Sequence, residues 1–428
     1  MHSPNARIAG RLRARLVAVA VAAAAGLATL AAISLTSAAP ARSAVPHAAQ
    51  QCPEPYSSTR DPSNPLALPN PPGADPLNGA RFYVPGPRKG AAAGAIAQMV
   101  GLNPNTMPVS ESWADFAQRL THGSIADKLA HNKGLAHKVA MLSKIAAEPE
   151  AQRISIYSMG GGPGAIFGQT QKVICQNITA DPGAIMAFNT YFLHPTLGGC
   201  ANASQIQHYM PTFKRQISEM AAAIDKRPAL ILAEIDALGS SACIARHGGL
   251  PAWEAALKYE VDTFEALPHT AVYVEGGYSD SNSVGYTVKA LNAIGVNKIQ
   301  GFFTNDTHNQ WTINEVRWAT KVARRTHGAH FIVNTASNGQ GPKLNPHPTT
   351  QGVEDLCNPP GRGLGPTFDT TTGFRYADAF MWTHPPGNSS GCGPSGSPPG
   401  GVFWPAYAIG LAQRANQKLG PGFPSRPY

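Results

Sequence analysis

The chain has 428 residues, of which 14% are charged and 43% hydrophobic. That balance excludes a chain disordered throughout, because disorder needs few apolar residues and much charge. The net charge of +9 does not point to nucleic acid, since Arg7, Arg11, Arg13, Arg15 and Arg42 precede residue 45 with no acid among them, and no basic stripe with interleaved aromatics follows.

In chain order, Arg7 to Arg15 form a basic stretch and Leu16 to Leu35 an uncharged, Ala-rich one, followed by the small residues TSAAPARSA. This is the pattern of an export signal over residues 1–44, cut near Ala39 or Ala44. The other reading is an uncleaved anchor, since an apolar run of that length can span a bilayer. Either way the pattern predicts an extracellular protein, released or held at the cell wall. Export permits disulfides among Cys52, Cys175, Cys200, Cys243, Cys357 and Cys392. None lies in a CxxC pair, so structural bridges are expected and no metal site.

Residues 45–76, rich in Pro, Ser and Asn, read as a lead-in or linker, and residues 77–428 as one domain. Near-continuous apolar runs at 80–84, 153–159, 229–235, 271–275, 299–305, 330–335 and 379–384 have the look of parallel strands buried on both faces. Helical stretches at 89–99, 207–225, 253–266, 283–294 and 312–325 separate them. Seven strands in repeated βα units favour a distorted parallel β/α barrel over an open sheet. Chemistry in such a barrel sits just past the strands, where this chain places carboxylates, amides and aromatics.

The glycine cluster YSMGGGPGAIFG at 157–168 follows a strand, but no acidic residue ends a following second strand about twenty residues on. Pro163 also stands where a helix would open onto phosphate, so a tight loop is expected and no nucleotide cofactor. Asp236 directly follows the run ALILAEI. Burial there suits a proton donor, and an N-cap for the next helical turn is the competing reading. Carboxylates past barrel strands among aromatics and amides suit carbohydrate chemistry.

The segments CNPPGRGLG at 357–365 and ADAFMWTHPPGNSSG at 377–391 resemble glycoside hydrolase family 6, the inverting cellobiohydrolases and endoglucanases acting on β-1,4-glucan. ARFYV at 80–84, LILAEIDAL at 230–238, GFFTNDTHNQWT at 301–312 and FIVNTASNGQGP at 331–342 are similar as well, in family order. The resemblance runs from about Asp75 to Trp404 and implies a seven-stranded distorted barrel with a cleft.

Position by position, the resemblance makes Asp236 the proton donor, in Glu234-Ile235-Asp236 where the family has an EPD motif. The family's acid-tuning Asp, in an RDC motif, is Pro163 here, and its proposed base Asp, in an ESDG motif, is Ser390. Tyr157, Glu275, Asn305, Trp311, Asn338, Trp382 and His384 stand at substrate-binding positions, His384 replacing a Lys. The family's His and Trp in the Glu275–Ser281 segment are lost. Trp311 and Trp382 also suit a core, and Asn305 and Asn338 also suit loops. Cys357 and Cys392 match a bridged pair; an insertion over residues 169–199 offers Cys243 a partner in Cys175 or Cys200, and Cys52 has none assigned.

Three functions follow. One is an exported polysaccharide hydrolase with Asp236 as general acid and Glu275, Asp280 or Asp306 as the replacement base. The second is a catalytically impaired glycan-binding protein, and the third an exported scaffold whose cleft has no glycan ligand. None implies a cofactor, a nucleic acid or a protein partner, and a monomer is expected.

Overall fold

The computed structural model describes residues 75–156, 162–349 and 352–426. The predicted export signal, all but the end of the lead-in, Cys52 and Tyr157 lie outside them.

Seven strands form one parallel sheet in chain order: β1 (Gln152–Ser155), β2 (Met186–Tyr191), β3 (Ala229–Ala233), β4 (Thr270–Glu275), β5 (Gly301–Thr304), β6 (His330–Asn334) and β9 (Ala377–Met381). A two-stranded antiparallel ribbon, β7 (Leu344–Thr349) with β8 (Gly352–Glu354), stands apart from the sheet. Both faces of the sheet are apolar. Leu230, Leu232, Ala271, Tyr273, Phe303, Ile332 and Met381 fill the concave interior. The alternate residues Ile231, Val272, Val274, Phe302, Phe331 and Phe380 pack outward against helices. A strand buried on both sides reads as one unbroken apolar run, and this is why these strands stand out in the sequence.

The helices follow their local signals. Among them are α1 (Ala91–Val100), α2 (Trp113–Leu120), α3 (Gly123–His131), α4 (Lys133–Ala146), α5 (Ala165–Ala180), the short α6 (Leu193–Leu197), and α7 (Ala203–Ile224). Next come α8 (Ser241–Arg246), α9 (Leu250–Glu265), α10 (Val284–Ile294), α11 (Thr312–Ala323) and α12 (Pro405–Gln413). Asn202 and Gln205 form a capping box that starts α7, and Ser283 caps α10 through the Tyr286 N–H. α1, α2, α4 and α12 bury a separate cluster with Trp382 and Leu364.

The sheet curls without closing by a ladder. Past β1 and β9, the ends meet at a parallel bridge between Glu150 and Trp382, where the Ala151 N–H donates to the Trp382 carbonyl at 3.1 Å. The result is the distorted barrel predicted, seven parallel strands in a curled sheet.

One predicted strand is replaced by another. Residues 80–84 make a single bridge, Phe82 to Ile185, and Pro85 and Pro87 end the run. The seventh strand is β2, inside the segment expected as an insertion. Residues 169–199 are thus most of a regular βα unit.

Cys243 pairs with Cys200, and Cys357 with Cys392. Cys175 is disulfide-bonded too.

Candidate active site

The carboxyl ends of the strands surround a cavity of about 870 Å³, within the range of ligand pockets. β1 contributes Arg153 and Ser155, the last residue of β2 is Tyr191, and α6 contributes His194. Asp236 follows β3, Tyr278 follows β4, and Asp306, Thr307 and His308 follow β5. His384 and the 388–390 segment follow β9.

Asp236 sits in the left-handed region, φ 59°, as does Glu234 at φ 50°. These two positive-φ residues, on either side of Ile235, swing the chain out of β3 and turn the Asp236 carboxylate into the cavity. Its Oδ1 accepts hydrogen bonds from Tyr278 Oη at 2.7 Å and Thr307 Oγ1 at 2.9 Å. The side chain caps no helix; Ser240 occupies the N-cap of α8.

Two buried glutamates hold this turn. Glu234 accepts the N–H groups of Phe192, Leu193 and His194 where α6 begins, at 2.7–3.3 Å. Burial pushes it up to about 7, its backbone bonds oppose the shift and the charge of Asp236 adds to it. Glu275 accepts from Leu238 at 2.7 Å, Gly239 at 3.0 Å and Gly277 at 2.5 Å. Burial raises it to about 8 against those bonds. Glu275 is fully buried, away from the cavity, and fixes the backbone directly after Asp236.

Across the cavity, Asp306 is fully buried and accepts a short hydrogen bond from Thr383 Oγ1. His384 Nδ1 lies 3.6 Å from its Oδ1. Burial works to raise Asp306, but the bond and charge of His384, with Thr383 and Arg153, win and hold it below the usual carboxylate value. Ser390 lines the cavity, its N–H bonded to Asn358 Oδ1 at 2.8 Å.

The structure therefore brings Asp236, His384 and Ser390 together, and among the described residues it sets the other predicted binding residues, Glu275, Asn305, Trp311, Asn338 and Trp382, behind the wall. Asn305 and Asn338 are buried and tie the 305–312 segment together through Gln310, Asn334 and Thr312. Trp311 packs against the outer core and Gly341, and Trp382 lies in the helical cluster. Sequence reading missed Tyr278, Thr307 and His308 as site residues. It also missed Arg153, which stacks over the Tyr191 ring at 5.2 Å.

The glycine cluster's helix end is filled from within. Glu219 accepts the N–H groups of Gly164 at 2.8 Å and Ile166 at 3.1 Å, where a phosphate would otherwise bind. Among the described residues, Asp280, His308 and Glu354 have the arrangement of metal ligands. Cys200, Cys243 and His247 also converge, but both sulfurs are in a disulfide.

Fold and site together define a parallel β/α barrel with a polar, carboxylate-bearing cleft at the carboxyl ends of its strands. Residues 196–415 match the family model of glycosyl hydrolases family 6, more than half of the chain, and the chain belongs to that family. It is 26% identical over 276 residues to endoglucanase A of Cellulomonas fimi, covering 64% of this chain and 56% of that one. It is 28% identical over 225 residues to endoglucanase A of Thermobispora bispora, covering 52% and 45%. The chain thus spans about half the length of these relatives. The endoglucanase Cel6 of Mycobacterium tuberculosis, solved with a methyl-cellobiosyl-4-deoxy-4-thio-β-D-cellobioside, superposes with a TM-score of 0.61 at 26% identity, over 80% of this chain and 99% of that one. Among the described residues, no helix is long and apolar enough to cross a membrane.

Proposed function

We propose that this chain is an exported glycoside hydrolase that cleaves O-glycosidic bonds of a polysaccharide, of the β-1,4-glucan class by kinship, with inversion and with Asp236 as general acid. The observation that carries this is Asp236 itself, turned into the cavity with two hydroxyls on Oδ1. Its other oxygen is then the one that serves the substrate. Asp236 gives its proton to the glycosidic oxygen as the bond from that oxygen to the anomeric carbon breaks. Tyr278 and Thr307 stabilise the carboxylate left behind.

Inversion requires a water on the opposite face and a group to take its proton. His384 is suited to that role, because Asp306 faces Nδ1 and leaves Nε2 for the water. As the water oxygen bonds the anomeric carbon, its proton passes to the imidazole.

The test is product formation by the purified secreted chain on β-1,4-gluco-oligosaccharides and bacterial wall glycans, with NMR reading the released anomer. The expected result is an inverted product, with Asp236→Asn slower by about 10²–10⁴-fold. A second reading, a glycan-binding protein without turnover, is favoured by Ser390 at the cavity wall in the place of the family's base. Binding that is equal in both proteins, with no turnover on any glycan, sinks the hydrolase and leaves that reading.

A further inference from the structure

At the edge of the cavity, three elements meet at side chains to which the proposed hydrolysis assigns no step. Asp280 lies past β4, His308 past β5, and Glu354 ends β8. One ligand atom from each lies within 4.8 Å of the others. His308 and Glu354 are each 2% exposed. The Nδ1 of His308 is 2.9 and 3.0 Å from the two Asp280 oxygens.

The bonding of Glu354 is incomplete. Asn309 donates to Oε2 through its backbone N–H at 2.8 Å and its side chain at 3.2 Å. Oε1 is buried with no hydrogen-bond partner. Ionised, Glu354 leaves a carboxylate oxygen in the interior without a donor; protonated, it leaves a buried O–H without an acceptor. Arg362 is within electrostatic reach, but its guanidinium is bonded to the Gly341 carbonyl. Two carboxyl groups thus face one imidazole, and a cation between the ligand atoms gives Glu354 Oε1 the partner it lacks.

We propose that Asp280, His308 and Glu354 bind one divalent metal ion of borderline softness, Zn²⁺ ahead of Mn²⁺. Two carboxylate oxygens and an imidazole nitrogen form the three-ligand set that zinc accepts, with a fourth position for water. The nitrogen counts against Ca²⁺ and Mg²⁺, which take oxygen ligands. On binding, the Nδ1 lone pair goes to the metal, and any proton there is released. The ion pins the end of β8 to the loops that carry the acid's supports. The His308 ring stacks on Tyr278 with centroids 3.8 Å apart and planes 11° apart, and Tyr278 holds Asp236. The inference stands independently of the hydrolase reading.

The experiment is calorimetric titration of the purified, chelator-stripped chain with ZnCl2, MnCl2 and CaCl2. Zinc is expected to bind at one equivalent, ahead of the other two. In Glu354→Gln, which keeps an acceptor for Asn309, affinity is expected to fall on the order of 10–100-fold or more. Equal zinc binding by wild type, Glu354→Gln and Asp280→Asn overturns the site, and calcium bound ahead of zinc overturns its class. X-ray absorption at the zinc edge of the wild type checks the ligands without a variant. It should show one imidazole and oxygen neighbours; sulfur or several imidazoles overturn the assignment.

Discussion

Ser390 and His384 share the wall of the cleft, and in the proposed reaction only the second can serve as the base. A serine hydroxyl is too weak a base to take a proton from water, whereas an imidazole oriented by a buried carboxylate can. His384→Ala is accordingly expected to lower kcat by about 10²–10⁴-fold with a smaller change in KM. Ser390→Asp in that background puts a carboxylate back at the cavity wall and is expected to recover part of the loss. Steady-state kinetics on a cello-oligosaccharide check both, and an unchanged kcat in His384→Ala removes it from the reaction. Asp236 was legible at this scale because an acid directly after an apolar strand has few places to go. Tyr278 was not, since its value lies in a bond to a residue 42 positions away, which no local pattern records.

At the scale of elements, legibility followed burial. β3 to β6 are apolar on both faces and read as strands. β2 carries Asn189 and Thr190, which break the run, yet both are fully buried and each donates one hydrogen bond to a distant residue. Asn189 donates to the Thr383 carbonyl, and Thr190 to Glu260 at 2.6 Å. A polar residue whose partner is distant in sequence makes a core strand look like a loop. The loop after β9 shows the converse, because its order rests on a covalent tie. The bridge between Cys357 and Cys392 spans a sequence separation of 35 and holds the segment bearing Ser389 and Ser390. Asn358 adds hydrogen bonds to the Ser390 N–H and the Cys392 carbonyl. Replacing both cysteines with serine should cost about 2–4 kcal/mol by freeing the unfolded chain. It should also weaken glycan binding by loosening the cavity wall. Urea unfolding measures the first; a midpoint equal to wild type would show that the bridge contributes nothing.

For the whole molecule, the repeated βα pattern gave the barrel class, but the seam could not be read. It is made by the backbone of Glu150, which precedes every residue of the predicted 153–159 run, and of Trp382, one residue past the end of β9. The seam also buries an acid. Glu150 is pushed up to about 7 by burial, a side-chain bond from Gln152 offsetting part of it. Glu234 and Glu315 are also raised to about 7 and Glu275 to about 8, each first by burial. Unfolded, such glutamates titrate near 4.5. Between that value and 7–8 the folded chain therefore holds more protons than the unfolded chain, so stability falls as pH rises. Asp306 runs the other way, but its lowered value places its window below pH 4, outside this interval. The chain is thus expected to be more stable at pH 5 than at pH 8. Glu150→Gln removes one contribution and leaves the backbone bridge in place. At pH 8 it should be stabler than wild type, on the order of 1–3 kcal/mol, with little difference at pH 5. Denaturant midpoints for both proteins at the two pH values decide it. Equal slopes with pH would mean that Glu150 keeps its charge at the seam, and that the barrel closes around a solvated carboxylate.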